Sequence, residues 1–215
     1  MGQIIDVVVN EFNNNLRLFI LLTIFFSIET FWPYFKFRQN RSIHTFRNLG
    51  LLLFYLVITA PVNFIASAWY GFIDTENYGL LNQFEIDSYL KIGFGILLMD
   101  FGDYFYHRLS HRSSLIWRFH KIHHSDMDID STTAFRFHPF DNIGLVATEM
   151  TTALVFGYGT ETIIIYFLIY LPLLFIQHSN IKFPDWFERA FEFVFATSNF
   201  HRIHHSYPQH LTDSN

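Results

Sequence analysis

Two nearly identical stretches lie far apart in this sequence: Phe119-His120-Lys121-Ile122-His123-His124-Ser125 and Phe200-His201-Arg202-Ile203-His204-His205-Ser206. Each is a histidine cassette with imidazoles at positions i, i+3 and i+4, and a third, shorter cassette consists of His107 and His111. Residues three or four apart share one face of a helix, so the side chains of each cassette can point at one metal ion. The near-copy predicts two similar half-sites.

The number of histidines predicts a site for two metal ions. Ten of the twelve histidines fall between His107 and His205. Imidazole is a ligand for Fe, Zn, Cu and Ni, and the eight imidazoles of the cassettes exceed what one first-row ion coordinates. The sequence has no Cys, which excludes thiolate ligands and disulfides. The predicted ligands in the cassettes are His107, His111, His120, His123, His124, His201, His204 and His205.

The other four histidines differ in their surroundings. His178 directly follows the last apolar segment and is predicted to be a ligand as well. His138, in an Arg-Phe-His-Pro stretch, is either a ligand or a supporting residue of the site. His44 and His210 lie outside the cassettes, and we interpret both as hydrogen-bonded core or interface residues.

Carboxylates inside apolar segments are costly unless they have a partner. Asp103 lies one helical turn before His107, and a metal-bound imidazole usually donates its other N–H to such a group. Asp103 is therefore predicted to orient His107. Asp100 is equally well explained by an ion pair with a nearby arginine, and the spacing of Glu29 and Glu149 assigns them no role.

The composition predicts an all-α integral membrane protein. Hydrophobic residues make up 51% of the chain and charged residues only 15%, too apolar a balance for a soluble domain of this size. We expect a bundle of about four to five apolar helices with a histidine-rich helical cap. A turn at residues 157–160 separates the last two segments and predicts a helical hairpin over about 143–177. The apolar segments cover residues 16–34, 49–70, 89–106, 143–156 and 162–177.

We expect one structural domain, with residues 1–106 as an N-terminal transmembrane region and residues 107–215 as a metal-binding region. The loop after the first apolar segment is basic, and the loop after the second is acidic. The positive-inside rule places the basic loop, and with it all histidine cassettes, on the cytoplasmic side. The net charge of −5, with basic residues only in short patches, excludes a nucleic-acid partner.

The histidine pattern resembles the fatty acid hydroxylase and sterol desaturase superfamily from about Asp103 to Asn215. The resemblance rests on several motifs in order: Asp103 with His107-Arg108-Leu109-Ser110-His111, then His120-Lys121-Ile122-His123-His124, Arg136-Phe137-His138-Pro139, His178-Ser179-Asn180 and His201-Arg202-Ile203-His204-His205. It implies a membrane oxygenase with two Fe ions and O2 as co-substrate, in the endoplasmic reticulum or the bacterial inner membrane. It also implies a sterol, fatty acyl or related lipid substrate and an electron donor such as cytochrome b5 or a ferredoxin.

Several points stay open. Members usually continue beyond a Thr-Asp-x-Asn stretch, whereas this sequence stops there, at residues 212–215, which predicts a truncated C-terminus. Hydroxylation and desaturation are equally compatible with the ligand set. Lys121, Arg202 and nearby arginines form either a docking face for the electron donor or a site for anionic headgroups. A zinc-dependent membrane hydrolase is the alternative function, although no His-Glu-x-x-His motif is present. A metal carrier or a haem anchored by two histidines is a further alternative.

Overall fold

The computed structural model describes residues 2–206, with side chains from Asn15 onward, so His210 and the stretch 212–215 lie outside the described residues. The regular structure of these residues is helical, apart from one isolated antiparallel bridge between Pro33 and Ile181, which confirms the all-α prediction. The α-helices are α1 (Gly2–Phe31), α2 (Arg41–Glu76), α3 (Ser88–Arg112), α4 (Ser114–His120), α5 (Pro139–Phe156), α6 (Thr160–His178), α7 (Asp185–Phe191) and α8 (Ser198–His204). Short 3₁₀ turns occupy Leu80–Gln83, His123–Ser125 and Thr133–Phe135.

Local sequence signals fix where the site-bearing helices begin and end. The Asp87 side chain accepts a hydrogen bond from the backbone N–H of Tyr89 at 2.9 Å and caps α3. At the other end of α3, Ser113 adopts an extended backbone and its hydroxyl caps α4, so the chain bends between the two helices. Gly157 ends α5 in the left-handed conformation, at φ 83°. The bend at Ser113 brings the histidine-bearing ends of α3 and α4 towards each other.

Two stretches of the described residues have the length and mean hydropathy of membrane-spanning helices. They are Arg41–Gln83 and Thr160–His178, which contain 18-residue windows with mean hydropathies of 2.1 and 1.7. Large apolar side chains of α2 and α3 outside the cavity lining are exposed, among them Leu53 at 65% and Phe101 at 62%. Such apolar outer faces suit a lipid environment.

The long helices leave a large cavity between them. α5 packs chiefly against α2 and α3, whereas α6 packs against α1, α2, α3 and α8. The space enclosed by these helices has a volume of about 1390 Å³. It exceeds the usual 300–1,000 Å³ of a site for a drug-sized ligand, and it is therefore large enough for a lipid chain.

A buried polar network ties α1 to the loops at the histidine-bearing end of the bundle. The Glu29 carboxylate is 1% exposed and accepts hydrogen bonds from Ser131 N–H at 2.8 Å, Ser131 Oγ at 2.8 Å and Asn180 N–H at 2.7 Å. The carboxylate of Asp128 accepts from the backbone N–H groups of Arg38 and Gln39, at 3.1 and 3.2 Å. The basic loop between α1 and α2 therefore lies at the same end of the bundle as the histidines.

We expect Glu29→Gln to lower the melting temperature of the detergent-solubilised protein. The substitution keeps the size of the side chain but turns one acceptor oxygen into a donor, so at least one of the three hydrogen bonds to Glu29 is lost. A hydrogen bond to a charged group contributes about 1.5–3 kcal/mol to stability. Glu76→Gln, at an exposed position, is the control. Equal melting temperatures for the two variants would contradict a stabilising role for Glu29.

Candidate metal centre

Eight histidines form two neighbouring groups of four at one end of the cavity. In each group the potential ligand nitrogens all lie within 4.8 Å of one another. Every member of the second group is buried, and the first group is buried or half-buried. Group A consists of His107, His111, His120 and His204, and group B consists of His123, His178, His201 and His205.

The two groups draw on both cassettes, so the cassettes are not half-sites as the near-repeat predicted. His120 belongs to group A and His123 to group B, although they are three residues apart. The reason is local: α4 ends at His120, and a 3₁₀ turn begins at His123, so the helical spacing does not continue through the cassette. In the second cassette, His204 faces group A while its neighbours face group B. The i, i+4 spacing did bring His107 and His111 on α3 to one group, and His201 and His205 to the other. His204 lies at i+3 on α8 and faces away from these two neighbours, towards group A.

Distances within group B match the coordination shell of a metal ion. The Nε2 atom of His201 lies 3.1 Å from that of His205 and 3.0 Å from that of His178. The Nε2 atom of His178 lies 3.2 Å from that of His123. Ligands about 2.1 Å from a first-row ion stand about 3.0 Å apart at right angles and about 3.4 Å apart at the tetrahedral angle. The measured separations fall within this range.

Hydrogen bonds alone do not account for the close contacts between the Nε2 atoms of group B. A neutral imidazole Nε2 carries either one proton or one lone pair. Four such atoms in a row have three N···N contacts but form at most two hydrogen bonds, which leaves at least one contact without a hydrogen bond. A cation between them accepts all four lone pairs at once. The residues present therefore fit a bound metal ion.

The protonation state of group B favours the same interpretation. Burial lowers the pKa of His123, His201 and His205 well below the ordinary value, and the neighbouring imidazoles lower it further. These histidines are therefore neutral at physiological pH, and the neutral imidazole is the form that binds metal.

One member of each group is oriented by a contact to its other ring nitrogen. In group A, Nδ1 of His120 lies 2.9 Å from Oδ2 of Asp141. In group B, Nδ1 of His178 lies 2.9 Å from the backbone oxygen of Leu174. Both acceptors place the imidazole proton on Nδ1 and leave the Nε2 lone pair directed at the group. Tyr106 in turn donates to the backbone oxygen of Asp141 at 2.8 Å.

Comparison with known proteins agrees with the histidine pattern. The model of the fatty acid hydroxylase family matches residues 92–214, more than half of the chain. The chain belongs to the fatty acid hydroxylase family. Family membership, together with the two stretches of membrane-spanning length, indicates a membrane protein.

Individual relatives are distant. The ornithine lipid hydroxylase OlsE of Rhizobium tropici is 24% identical over 184 residues, which cover 83% of this chain and 55% of that protein. The alkylglycerol monooxygenases of Homo sapiens and Xenopus tropicalis are 27% and 28% identical over 149 residues, which cover 65% of this chain and 30% of each of those proteins. The chain thus spans about half the length of its bacterial relative and less of the others. No solved structure matches it.

Two predicted ligands of this family member lie outside both groups. His124 lies between them: its Nε2 is 3.2 Å from Nε2 of His120, and its ring stacks on that of His205 at 4.3 Å. His138 has a different role in the fold, because its Nδ1 accepts a hydrogen bond from Phe140 N–H at 3.2 Å and caps α5. His138 thereby supports the first turn of the helix that carries Asp141.

The predicted orienting contact from Asp103 to His107 is not found in the described residues. Oδ2 of Asp103 accepts a hydrogen bond from Tyr166 at 2.8 Å, and Oδ1 is buried without a partner there. Asp141 instead orients a histidine of the site. Sequence reasoning missed Asp141 because it approaches from the start of α5, beyond the cassettes, although an acidic residue in a first helical turn after His-Pro is a signal.

A second polar network holds the loop that carries His123 and His124. Nε2 of His44 lies 2.9 Å from both carboxylate oxygens of Asp126, and His44 is 1% exposed, so it is a hydrogen-bonded core residue. Burial raises the pKa of Asp126, but hydrogen bonds from His44, Thr133 and Asn48 outweigh burial and leave it below the ordinary value. The aspartate is therefore ionised and anchors the loop to α2.

Two arginines attach the cassettes to their surroundings. Arg136 donates to the backbone oxygen of Ile122 at 3.1 Å, within the first cassette. Arg202 donates to the backbone oxygen of Ser179 at 2.7 Å, and its guanidinium lies 4.3 Å from the ring centre of Tyr34. Arg202 thus fixes α8 to the end of α6.

We expect Asp141→Asn to weaken metal binding by about 10–100-fold, because the His120 ring loses its charged acceptor. Titration of the metal-loaded protein with a chelator measures the affinity. Asp185→Asn, at an exposed position, is the matched control and should behave like the unmodified protein. An unchanged affinity in Asp141→Asn would show that Asp141 does not orient His120 for metal binding.

Proposed function

We propose that this protein is an O2-dependent di-iron membrane oxidoreductase that hydroxylates or desaturates a C–H bond of a lipid. The observation that carries the proposal is the pair of four-histidine groups at the end of a large, mostly apolar cavity. Family membership supports the assignment, and the chain's relatives, a lipid hydroxylase and alkylglycerol monooxygenases, have names that agree with it.

The histidines would hold one iron ion in each group. His120 and His178 are fixed in their tautomers by Asp141 and by the carbonyl of Leu174, so both present an Nε2 lone pair without rearrangement. His124, between the groups, is available to either ion. Two iron ions bound there would supply the redox chemistry that activates O2 and removes hydrogen from an unactivated carbon, which no amino-acid side chain can do.

The cavity would place the substrate. Its lining includes His107 and His120 of group A and His123, His178 and His201 of group B, so a lipid chain inside it reaches both groups. The apolar walls exclude water from the reacting carbon. Whether the product is an alcohol or an alkene then depends on how the chain is seated relative to the two groups, because the ligand set is the same for both.

We further propose the topology predicted from the sequence: four to five membrane-crossing helices and a cytoplasmic histidine-rich cap, with the helical hairpin at 143–177. The hydrogen bonds from Arg38 and Gln39 to Asp128 support it, since they put the basic loop beside the histidine-bearing end. A cytoplasmic cap would receive electrons from a donor such as cytochrome b5 or a ferredoxin. Lys121 is exposed at that end and is a candidate contact for the donor.

The zinc-dependent hydrolase is disfavoured by the ligand set. Within the described residues neither group contains a carboxylate. A catalytic zinc site has three protein ligands, and a hydrolase adds a carboxylate base beside the bound water. Eight converging imidazoles exceed the three protein ligands of a catalytic zinc site and are better suited to two iron ions.

We expect about two iron ions per chain in the purified protein, measured by inductively coupled plasma mass spectrometry, and exchange-coupled Mössbauer signals after growth on 57Fe. Membranes that contain the protein should convert a lipid to a product with one added oxygen atom or two fewer hydrogen atoms, only when O2 and reductant are present. Stoichiometric zinc that iron cannot replace without loss of activity would overturn the proposal and favour the hydrolase.

Each of the two repeated cassettes contributes ligands to both groups, but each histidine belongs to one group only. Substitution of a single ligand should therefore remove the metal ion of one group and leave the other. We expect His111→Ala to lower the iron content from about two to about one per chain by removing a ligand of group A, and His178→Ala to do the same in group B. His138→Asn is the control, because asparagine can still cap α5 but removes the imidazole, and it should retain two. Full iron content in both ligand variants would contradict the assignment of the groups, and iron loss in the control would make His138 a ligand.

A further inference from the structure

The cavity runs along almost the whole length of the bundle. On α6 its lining residues recur at helical spacing from His178 back to Thr160 at the start of the helix, a rise of about 27 Å along the helix axis. On α2 they extend over a similar distance, from Tyr55 to Thr75. This depth is close to the roughly 30 Å thickness of the hydrocarbon core of a bilayer, and it is nearly twice the depth of one leaflet.

One end of the cavity lies at the metal centre. His178 of α6 is itself a member of group B. On α2, the ring centre of Tyr55 lies 6.2 Å from that of Phe137. Phe137 in turn stacks on His123 of group B, with 4.8 Å between the ring centres. The opposite end of the cavity is therefore about 27 Å from the histidines, at the other end of α6.

Close contacts join the helices at this far end. The backbone N–H of Thr160 donates a hydrogen bond to Oδ2 of Asp74 at 3.0 Å, which attaches the start of α6 to the end of α2. A Cβ atom at Gly159 would collide with Asp74. A Cβ atom at Gly79, in the loop after α2, would collide with the backbone of Gly157. The turn between α5 and α6 is thus packed tightly against α2 and its following loop, and these segments form the floor of the cavity.

Small side chains of α2 leave room for a ligand next to this floor. Ala68, Gly71 and Thr75 lie at i, i+3 and i+7 on one face of α2, and all three line the cavity. A Cβ atom at Gly71 would meet nothing within 4 Å, so this position borders open space. At a similar depth, α6 contributes the apolar side chains of Ile164 and Phe167 to the lining. The substitution Gly71→Leu would therefore fill part of the cavity without a clash in the fold.

We infer that the cavity selects a long-chain lipid by the length of its hydrocarbon chain, with the methyl end of an extended chain beside Gly71. The polar end of the lipid lies on the histidine side, because the lining there includes Phe193, which is 90% exposed, whereas the far end has the floor. From Tyr55 to Gly71 the rise along α2 is about 24 Å, so the chain is longer than one leaflet is deep.

The inference rests on the proposed function and deepens it, because the metal centre defines where the lipid reacts. With the methyl end about 24 Å from the histidines, the oxidised carbon lies towards the polar end of the substrate. The length of the space beyond the metal centre then decides which chains fit.

A series of straight primary alcohols from 1-dodecanol to 1-docosanol tests the inference, because these probes differ only in chain length. Native mass spectrometry of the full metal-loaded protein in detergent measures their binding. Detergent micelles take up each alcohol equally for every variant, so differences between variants report on the cavity. We expect Gly71→Leu to weaken binding of the longest alcohols by about 5–150-fold, which corresponds to the cost of overpacking a filled site, and to leave 1-dodecanol unchanged.

Two further variants show whether the effect follows the position along α2. Ala68→Leu adds the same bulk one turn closer to the histidines, so binding should weaken from a shorter chain length onward than in Gly71→Leu. Gly50→Leu is the matched control, because Gly50 also lies on α2 and a Cβ atom there also meets nothing within 4 Å, but it is outside the cavity lining. This control should bind every alcohol as the unmodified protein does.

Unchanged binding of the longest alcohols in Gly71→Leu would overturn the inference, and so would an equal loss of short and long alcohols in a folded variant. The melting temperature of the same samples shows whether each variant is folded, and Ala68→Leu decides the question if Gly71→Leu is not. Iron content separates this failure from that of the proposed function. If the proteins hold about two irons but the length preference does not shift, only this inference fails. If the preference shifts but iron is absent, the proposed function fails and selection by chain length remains.

Discussion

The structure depends on one constraint, which is that each imidazole nitrogen carries either one proton or one lone pair. In group B the Nε2 atoms of buried histidines lie 3.0–3.2 Å from one another in series. Hydrogen bonds among these histidines cannot account for all of the close contacts between their Nε2 atoms. The bend at Ser113 and the 3₁₀ turn at His123 direct side chains into this cluster. Asp141, Asp126 and Arg136 then hold the segments that carry them.

The sequence predicted much of this because its signals were local. The all-helical fold followed from the apolar segments and the turn at residues 157–160, and the pairing of His107 with His111 followed from regular helical spacing. The division of the cassettes between the two groups did not follow. In the first cassette it depends on α4 ending at His120, and in the second His204 and His205 face different groups although they are neighbours in the chain. A cassette that begins on a helix and ends in a 3₁₀ turn looks, by spacing alone, like one that is helical throughout.

The roles of the acidic residues were least predictable. Asp103 was expected to orient His107 because it is adjacent along α3, yet Asp141 performs that role for His120 from a separate helix. Glu29 and Glu149 looked alike in the sequence, as single carboxylates within apolar segments. Glu29 accepts three hydrogen bonds in a polar network, whereas Glu149 faces a cavity. The difference lies in long-range partners, which spacing does not encode.

The interleaving of the two cassettes has a consequence for biosynthesis. Each group needs residues from the segment 198–205, the last part of the site to leave the ribosome. Until that segment docks on the end of α6, through contacts such as that of Arg202 with Ser179, neither group has its full complement of imidazoles. Before the segment docks, group A has three of its imidazoles and group B has two, so the same docking step completes both groups.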